Sequence, residues 1–370
     1  MSEALFEAIS VGPYQLSHRV AMAPLTRSRA GQPGDVPTAL NMEYYRQRAS
    51  AALLITEATQ ISKQGQGYAW TPGIYSDAQV EAWRHIADVV HKEGGAIFMQ
   101  LWHVGRVSHP SFQPGGALPV APSALPVPGK TFIVNENGEG VWGDVPVPRA
   151  LATEEIAGIV NDYRVAARNA INAGMDGVEI HAGNGYLLDQ FINSNSNHRT
   201  DAYGGSPKNR ARFLLEVTRA VAEEIGAERI GVRLTPMGRF MGMGDDTPQD
   251  TFGYIVDELN SLGLAYLHLV EPAVVGTVKD ENHDPKWDQI IRDLRSRWSG
   301  VLILAGGYDP KSAAEAVGQG RADMIAFGRP FLANPDLPRR IREGLALNEP
   351  DPATFFGGTE TGYTDYPAHS

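Results

Sequence analysis

Cysteine is absent from all 370 residues. That one absence excludes disulfides, thiolate zinc sites, iron–sulfur clusters and cysteine nucleophiles together. Also missing is any run of about 18 apolar residues, so the sequence predicts no transmembrane helix. Positive charge falls short of negative: the formal net charge is −11, with the acidic residues spread along the chain. Such a balance repels nucleic acid and leaves a small molecule as the expected partner. Residues 1–7 lack a basic region followed by an apolar segment, which argues against a secretory signal and makes the cytoplasm the expected location. No G-x-G-x-x-G opens a helix after the first strand, and no H-E-x-x-H occurs, so neither a dinucleotide fold nor a metal centre is indicated and no metal ligand is nominated.

What the chain does contain is an alternation. Eight short apolar, β-branched segments (Arg19–Thr26, Ala52–Thr59, Ala96–His103, Gly177–Gly183, Arg229–Thr235, Tyr266–Glu271, Val301–Gly307, Asp323–Pro330) are interleaved with helical patterns. The helices are expected at Thr38–Arg48, Asp77–Glu93, Thr153–Ala173, Lys208–Ile225, Thr247–Leu262, Pro285–Arg297, Pro310–Gly318 and Asp336–Leu345. Alternation of this kind implies parallel strands with helical crossovers, and eight of each is the count of an α/β (β/α)8 TIM barrel. One domain is expected over 1–370. The exception is residues 104–150, rich in Pro and Gly, between the third strand and the third helix; a long loop there reads as a lid insertion.

In such a barrel the C-terminal strand ends converge on one mouth, where chemistry sits. The fourth strand ends in His181-Ala182-Gly183-Asn184-Gly185-Tyr186. A His/Asn donor pair can bind a carbonyl or nitro oxygen on which negative charge grows, and a nearby phenol can deliver a proton. Arg233 lies between apolar neighbours and needs an anionic partner, either a cofactor or a carboxylate such as Glu271 or Asp323. Gln100, between Met99 and Leu101, offers donor and acceptor to a uracil-like edge. The last two strands end in Ala305-Gly306-Gly307-Tyr308 and Phe327-Gly328-Arg329-Pro330, where backbone amides and an arginine can cradle a phosphate. Trp102 and Tyr68 are candidates for an apolar wall against a flat ring, although aromatics near a strand are more often core. His103, His109, His268 and His283 read as structural or surface residues. With no cysteine chemistry, redox work requires a bound organic cofactor, and a singly phosphorylated flavin suits these strand ends.

Together with Asn197-His198-Arg199-Thr200-Asp201-Ala202-Tyr203-Gly204-Gly205-Ser206, the His181–Tyr186 segment resembles the Old Yellow Enzyme family, and the resemblance spans nearly the whole chain. Thr26 is similar to the classical branch. The resemblance implies a barrel that holds FMN non-covalently, is reduced by NADPH or NADH and is reoxidised by an activated alkene: an enone, a maleimide or a nitroalkene, with nitrate esters as a further candidate. By position it implies Pro24, Thr26, Ala58, Gln100 and Arg233 along the isoalloxazine and Gly306, Gly307, Gly328 and Arg329 at the phosphate. His181 and Asn184 would bind the electron-withdrawing group, with Tyr186 as proton donor and Tyr68 and Trp102 beside the substrate. Phe356 and Met241 depart from the relatives' pattern. The family includes monomers and dimers, and both remain open. Two other readings remain open too: a metal-dependent barrel hydrolase or lyase using His103, His181 and a carboxylate, and a flavin-binding protein without catalysis.

Overall fold

A computed structural model describes residues 3–272, 274–275, 278–279 and 284–369. Eight parallel strands pair in sequence order: β1 (Val20–Met22), β2 (Leu53–Ile55), β3 (Ile97–Trp102), β4 (Gly177–Ala182), β5 (Ile230–Leu234), β6 (Tyr266–Val270), β7 (Val301–Ala305) and β8 (Met324–Phe327). β8 returns to pair with β1, Ala326 opposite Ala21, which closes the barrel. The expected (β/α)8 architecture is therefore present. The strands are shorter than the segments read from sequence: ladder pairing stops at Met22 and Phe327, and residues 23–26 and 328–330 line the mouth instead.

Every barrel strand is buried on both faces, which is why each reads as a nearly continuous apolar run. Side-chain alternation nevertheless sorts the residues. Val178, Ile180, Val232, Leu267 and Leu302 pack outward with the helices, while Ala21, Leu53, Phe98, Tyr266, Ile303 and Met324 fill the interior. A short hairpin, Ile9–Val11 paired with Tyr14–Leu16, adds Val11 and Leu16 to that inner cluster and plugs the N-terminal end.

The helices begin where local chemistry satisfies their free amides. Ser76 accepts from the Gln79 amide while the Gln79 side chain accepts from the Ser76 amide, a reciprocal cap on Asp77–Lys92. Glu155 accepts from the Ala152 amide at the start of Thr153–Asn172, whose buried face repeats as Ile156, Ile159, Tyr163, Ala166, Ala167 and Ala170. No helix among the described residues is long and apolar enough to cross a membrane.

Residues 104–150 contain a hairpin, Lys130–Val134 against Gly140–Asp144, joined by a turn over residues 135–139. The C-terminal segment runs back against the chain that follows β1. There Arg27 donates to the Gly362 carbonyl at 2.7 Å, Arg29 to that of Thr359 at 3.0 Å and Arg48 to that of Tyr363 at 3.2 Å. The Tyr363 ring stacks on Tyr44 at 4.2 Å.

Candidate active site

The interior changes character toward the C-terminal strand ends. On the inward face of β3, Phe98 is followed by Gln100 and Trp102; on β4, Gly177 by Glu179 and His181; on β5, Gly231 by Arg233; on β6, Tyr266 by His268. Above them lies one cavity of about 960 Å³. That is the upper end of the range for small-molecule sites, roughly 300–1,000 Å³. All fourteen candidates named from sequence line it: Pro24, Thr26, Ala58, Tyr68, Gln100, Trp102, His181, Asn184, Tyr186, Arg233, Gly306, Gly307, Gly328 and Arg329.

At one side of the cavity the β4 end forms a polar triad on an aromatic wall. Asn184 has φ +56°, a left-handed conformation that asparagine tolerates, and Gly185 follows at φ +76°. This bend is pinned from below: the Asn184 amide donates to Thr235 Oγ1 at 2.9 Å, and the Gly185 amide to Asp189 Oδ2 at 2.8 Å. A β-carbon on Gly185 would lie 2.9 Å from the Phe240 carbonyl oxygen, so a larger residue would push the loop out. The Tyr186 hydroxyl donates to that of Tyr68 at 3.3 Å. Trp102 lies parallel to Tyr68 at 5.8 Å and to His181 at 6.3 Å, and Tyr186 stands edge-on to it at 4.7 Å.

Burial sets the protonation of these groups. It holds the His181 imidazole well below its usual range, so the ring is neutral, with Nδ1 unpartnered. The Tyr186 phenol is pushed up to about 12 and stays protonated. Burial also lowers Arg233, while the nearby Glu179 charge opposes the shift. Neither carboxylate proposed as a purely structural partner reaches Arg233, for Asp323 pairs with Arg295 at 2.8 Å and Glu271 with Arg321 at 2.8 Å. Its Nε is buried with no acceptor. A cationic guanidinium left in this state calls for an anion in the cavity.

The same cavity also carries a backbone ledge. Gly306 and Gly307 have φ +133° and +81°, and a β-carbon on Gly306 would lie 2.9 Å from the Glu271 carbonyl oxygen. Gly328 precedes the short helix Arg329–Ala333. Small residues thus leave amides accessible at the seventh and eighth strand ends, the usual phosphate position of this fold. A planar, singly phosphorylated ring system with an anionic or imide edge fits this donor set in charge and hydrogen-bonding capacity.

Several neighbours were not singled out from sequence. Trp142 reaches the cavity from the hairpin, and Phe240 and residues 347–350 complete the rim; Lys130 of the lid and Tyr308, from the seventh strand end read in the sequence, line it as well. Phe356 stands edge-on to Trp142 at 5.6 Å, and Met241 lies in the same aromatic cluster, so both departures from the family pattern face the site. His103 is buried, with its ring accepting from the Gly105 amide, and His109 caps a turn through Ser111. His268, read as structural or surface, is fully buried beneath the site against Glu179, and His283 lies outside the described residues. Among the described residues no group of three or more His, Asp or Glu side chains is placed to hold a metal ion.

Comparison with known proteins agrees with this geometry. A flavin oxidoreductase, hxnT, of Emericella nidulans is 45% identical over 99% of this chain and 97% of its own length. The 12-oxophytodienoate reductase 2 of Arabidopsis thaliana is 45% identical over 99% and 96%. Among solved structures, morphinone reductase in complex with tetrahydroNAD superposes with a TM-score of 0.93 at 50% identity, covering 99% of this chain and 98% of that one. The old yellow enzyme homologue from Zymomonas mobilis gives 0.92 at 44%, covering 98% and 99%. The family model described as NADH:flavin oxidoreductase / NADH oxidase matches residues 4–348, and the chain belongs to that family as an FMN-dependent oxidoreductase of the Old Yellow Enzyme type, reduced by NAD(P)H.

Proposed function

We propose that the cavity is an ene-reductase site for activated alkenes (enones, maleimides and nitroalkenes), with each wall carrying one task. FMN, when bound, would supply the two-electron chemistry that links NAD(P)H oxidation to hydride addition at the β-carbon of the alkene. The chain's own residues do the rest. Gly306, Gly307, Gly328 and Arg329 hold the phosphate, and Pro24, Thr26, Ala58, Gln100 and Arg233 hold the ring. The Thr26 hydroxyl makes no hydrogen bond among the described residues and is free to meet a ring carbonyl.

His181 and Asn184 bind the carbonyl or nitro oxygen. A neutral imidazole donates without adding charge; the His181 ring is held parallel to Trp102 and the Asn184 backbone is held by Thr235, so both donors face the oxygen as negative charge builds on it. Tyr186 protonates the α-carbon, and its burial keeps that proton in place at every working pH. Tyr68 and Trp102 form the flat wall that orients the alkene. The chain acts as a single barrel domain over 1–370, with 104–150 as the lid that excludes water from the mouth. Its partners are NAD(P)H and the alkene, and it works in the cytoplasm as a monomer or homodimer.

The observation that carries this reading is the convergence of His181, Asn184 and Tyr186 on the same cavity as unpaired Arg233 and the glycine ledge. The test is an anaerobic visible spectrum of the purified protein, taken before and after NADPH and then 2-cyclohexenone. A flavin band that bleaches with NADPH and returns with the enone is expected. A band that bleaches but does not return would reject enones as oxidants, and a protein that cannot be reconstituted with FMN would reject the site assignment.

A further inference from the structure

Glu179 is fully buried on β4, one inward position below His181, and does not line the cavity. The registers explain its company: Glu179 lies opposite Gln100 on β3 and Gly231 on β5, and Gly231 in turn lies opposite Tyr266 on β6. Gly231 is required there. A β-carbon at that position would lie 2.1 Å from the Tyr266 ring, whose hydroxyl reaches across to donate to Glu179 Oε2 at 3.0 Å. His268 Nδ1 meets the same oxygen at 2.8 Å, and Gln100 Nε2 donates to Oε1 at 2.7 Å.

A carboxylate can only accept, so it fixes which end of the Gln100 amide turns away from it. The NH2 group points down to Glu179, and the Gln100 carbonyl oxygen is left on the cavity side. Arg233 makes no hydrogen bond to Glu179 but lies within its field. Burial tends to raise the Glu179 carboxyl, yet the contacts with His268 and Gln100 and the nearby Arg233 guanidinium bring it below the ordinary carboxylate range, whereas burial lowers the His268 imidazole. The Glu179 carboxylate thus faces the Arg233 guanidinium from the layer beneath the cavity.

Resting on the flavin reading above, we propose that Glu179 is a positioning residue that works through Gln100 and Arg233. It presents an acceptor to the imide N–H of oxidised FMN, and it offsets the guanidinium so that the reduced, anionic cofactor is not bound too tightly to give up its electrons.

The experiment uses Glu179→Gln as the FMN holoprotein. Removing the charge leaves Arg233 uncompensated, and the new amide turns Gln100 around. Expected are an at least tenfold rise in affinity for reduced relative to oxidised FMN, about +30 mV for a two-electron couple, and weaker binding of oxidised FMN by fluorescence titration. In a Gln100→Leu background the loss of oxidised-FMN affinity should vanish while the shift in potential persists. Tyr266→Phe, which keeps the charge but removes one donor to it, should move the potential the opposite way and serves if Glu179→Gln does not fold. Holoproteins whose potential stays at the parent value would overturn the proposal and leave the flavin reading intact. Failure of the parent protein to bind FMN would overturn both.

Discussion

Replacing Tyr186 with phenylalanine removes one oxygen from a packed aromatic wall, and its consequences can be worked out separately for stability and for chemistry. Among the described residues the hydrogen bond lost is the 3.3 Å contact to Tyr68, which is long, so the fold should lose less than about 1 kcal/mol. The edge-on packing against Trp102 survives, since phenylalanine keeps the ring. Chemistry should suffer far more. General acid catalysis contributes about 10² to 10⁴ in rate, or roughly 3 to 5 kcal/mol of barrier. That loss should fall on the alkene half-reaction alone, because reduction by NADPH needs no proton from this side chain. Stopped-flow absorbance under anaerobic conditions follows the two half-reactions separately: bleaching with NADPH, then recovery with 2-cyclohexenone. The pH profile sharpens the test. With the phenol pushed up to about 12, the protonated donor persists as pH rises, so the parent's alkene rate should stay flat to about pH 11, whereas an ordinary tyrosine is half ionised near pH 10. Equal losses in both half-reactions, or a parent rate already falling by pH 9, would refute the assignment of Tyr186 as proton donor.

His181→Ala should weaken phenol and enone binding at least tenfold while leaving FMN affinity nearly unchanged, as measured by spectral titration; loss of flavin instead would make His181 a scaffold residue. Gly306→Val introduces a β-carbon 2.9 Å from the Glu271 carbonyl and blocks the ledge, and it should reduce FMN affinity by more than tenfold in a fluorescence titration. Burial raises the Asp189 carboxyl from 3.8 to about 7, so the folded protein holds a proton between those values that the unfolded chain has released. Stability from this group therefore falls as pH rises from about 4 to about 7, by something of the order of 4 kcal/mol, and Asp189→Asn should lack that fall. Urea midpoints of the two proteins at pH 5 and pH 8 read the difference, and parallel pH dependences would refute it.

Much of this molecule could be read from its sequence, for reasons that differ by element. The eight strands were visible because burial on both faces compresses each into an apolar run, and helices such as Thr153–Asn172 because one stripe alone is buried. Leu187–Ile192 escaped notice: all six of its residues are buried, so it has no polar face and no period. Residues 130–144 read as part of the long loop, since a half-exposed two-stranded ribbon carries little apolar alternation, and nothing local marks Trp142, 48% exposed, as a cavity residue. Glu179 did leave a signal. It shares the parity of His181 in a strand whose other members are apolar, and a carboxylate there had to be paired from inside the barrel.

The C-terminal clamp has a consequence for how the protein is made. β1 cannot pair with β8 until residue 327 has been synthesised, and Arg27 has no Gly362 carbonyl to meet until 335 residues after itself. At ribosomal speeds of about 5–20 residues per second, that interval is roughly twenty seconds to a minute. For that time the nascent chain holds Arg27, Arg29 and Arg48 without their final acceptors beside apolar strands awaiting closure. The rim of the mouth is thus among the last parts to set, so a chain released short of Tyr363 would have every strand of the barrel and no finished lip.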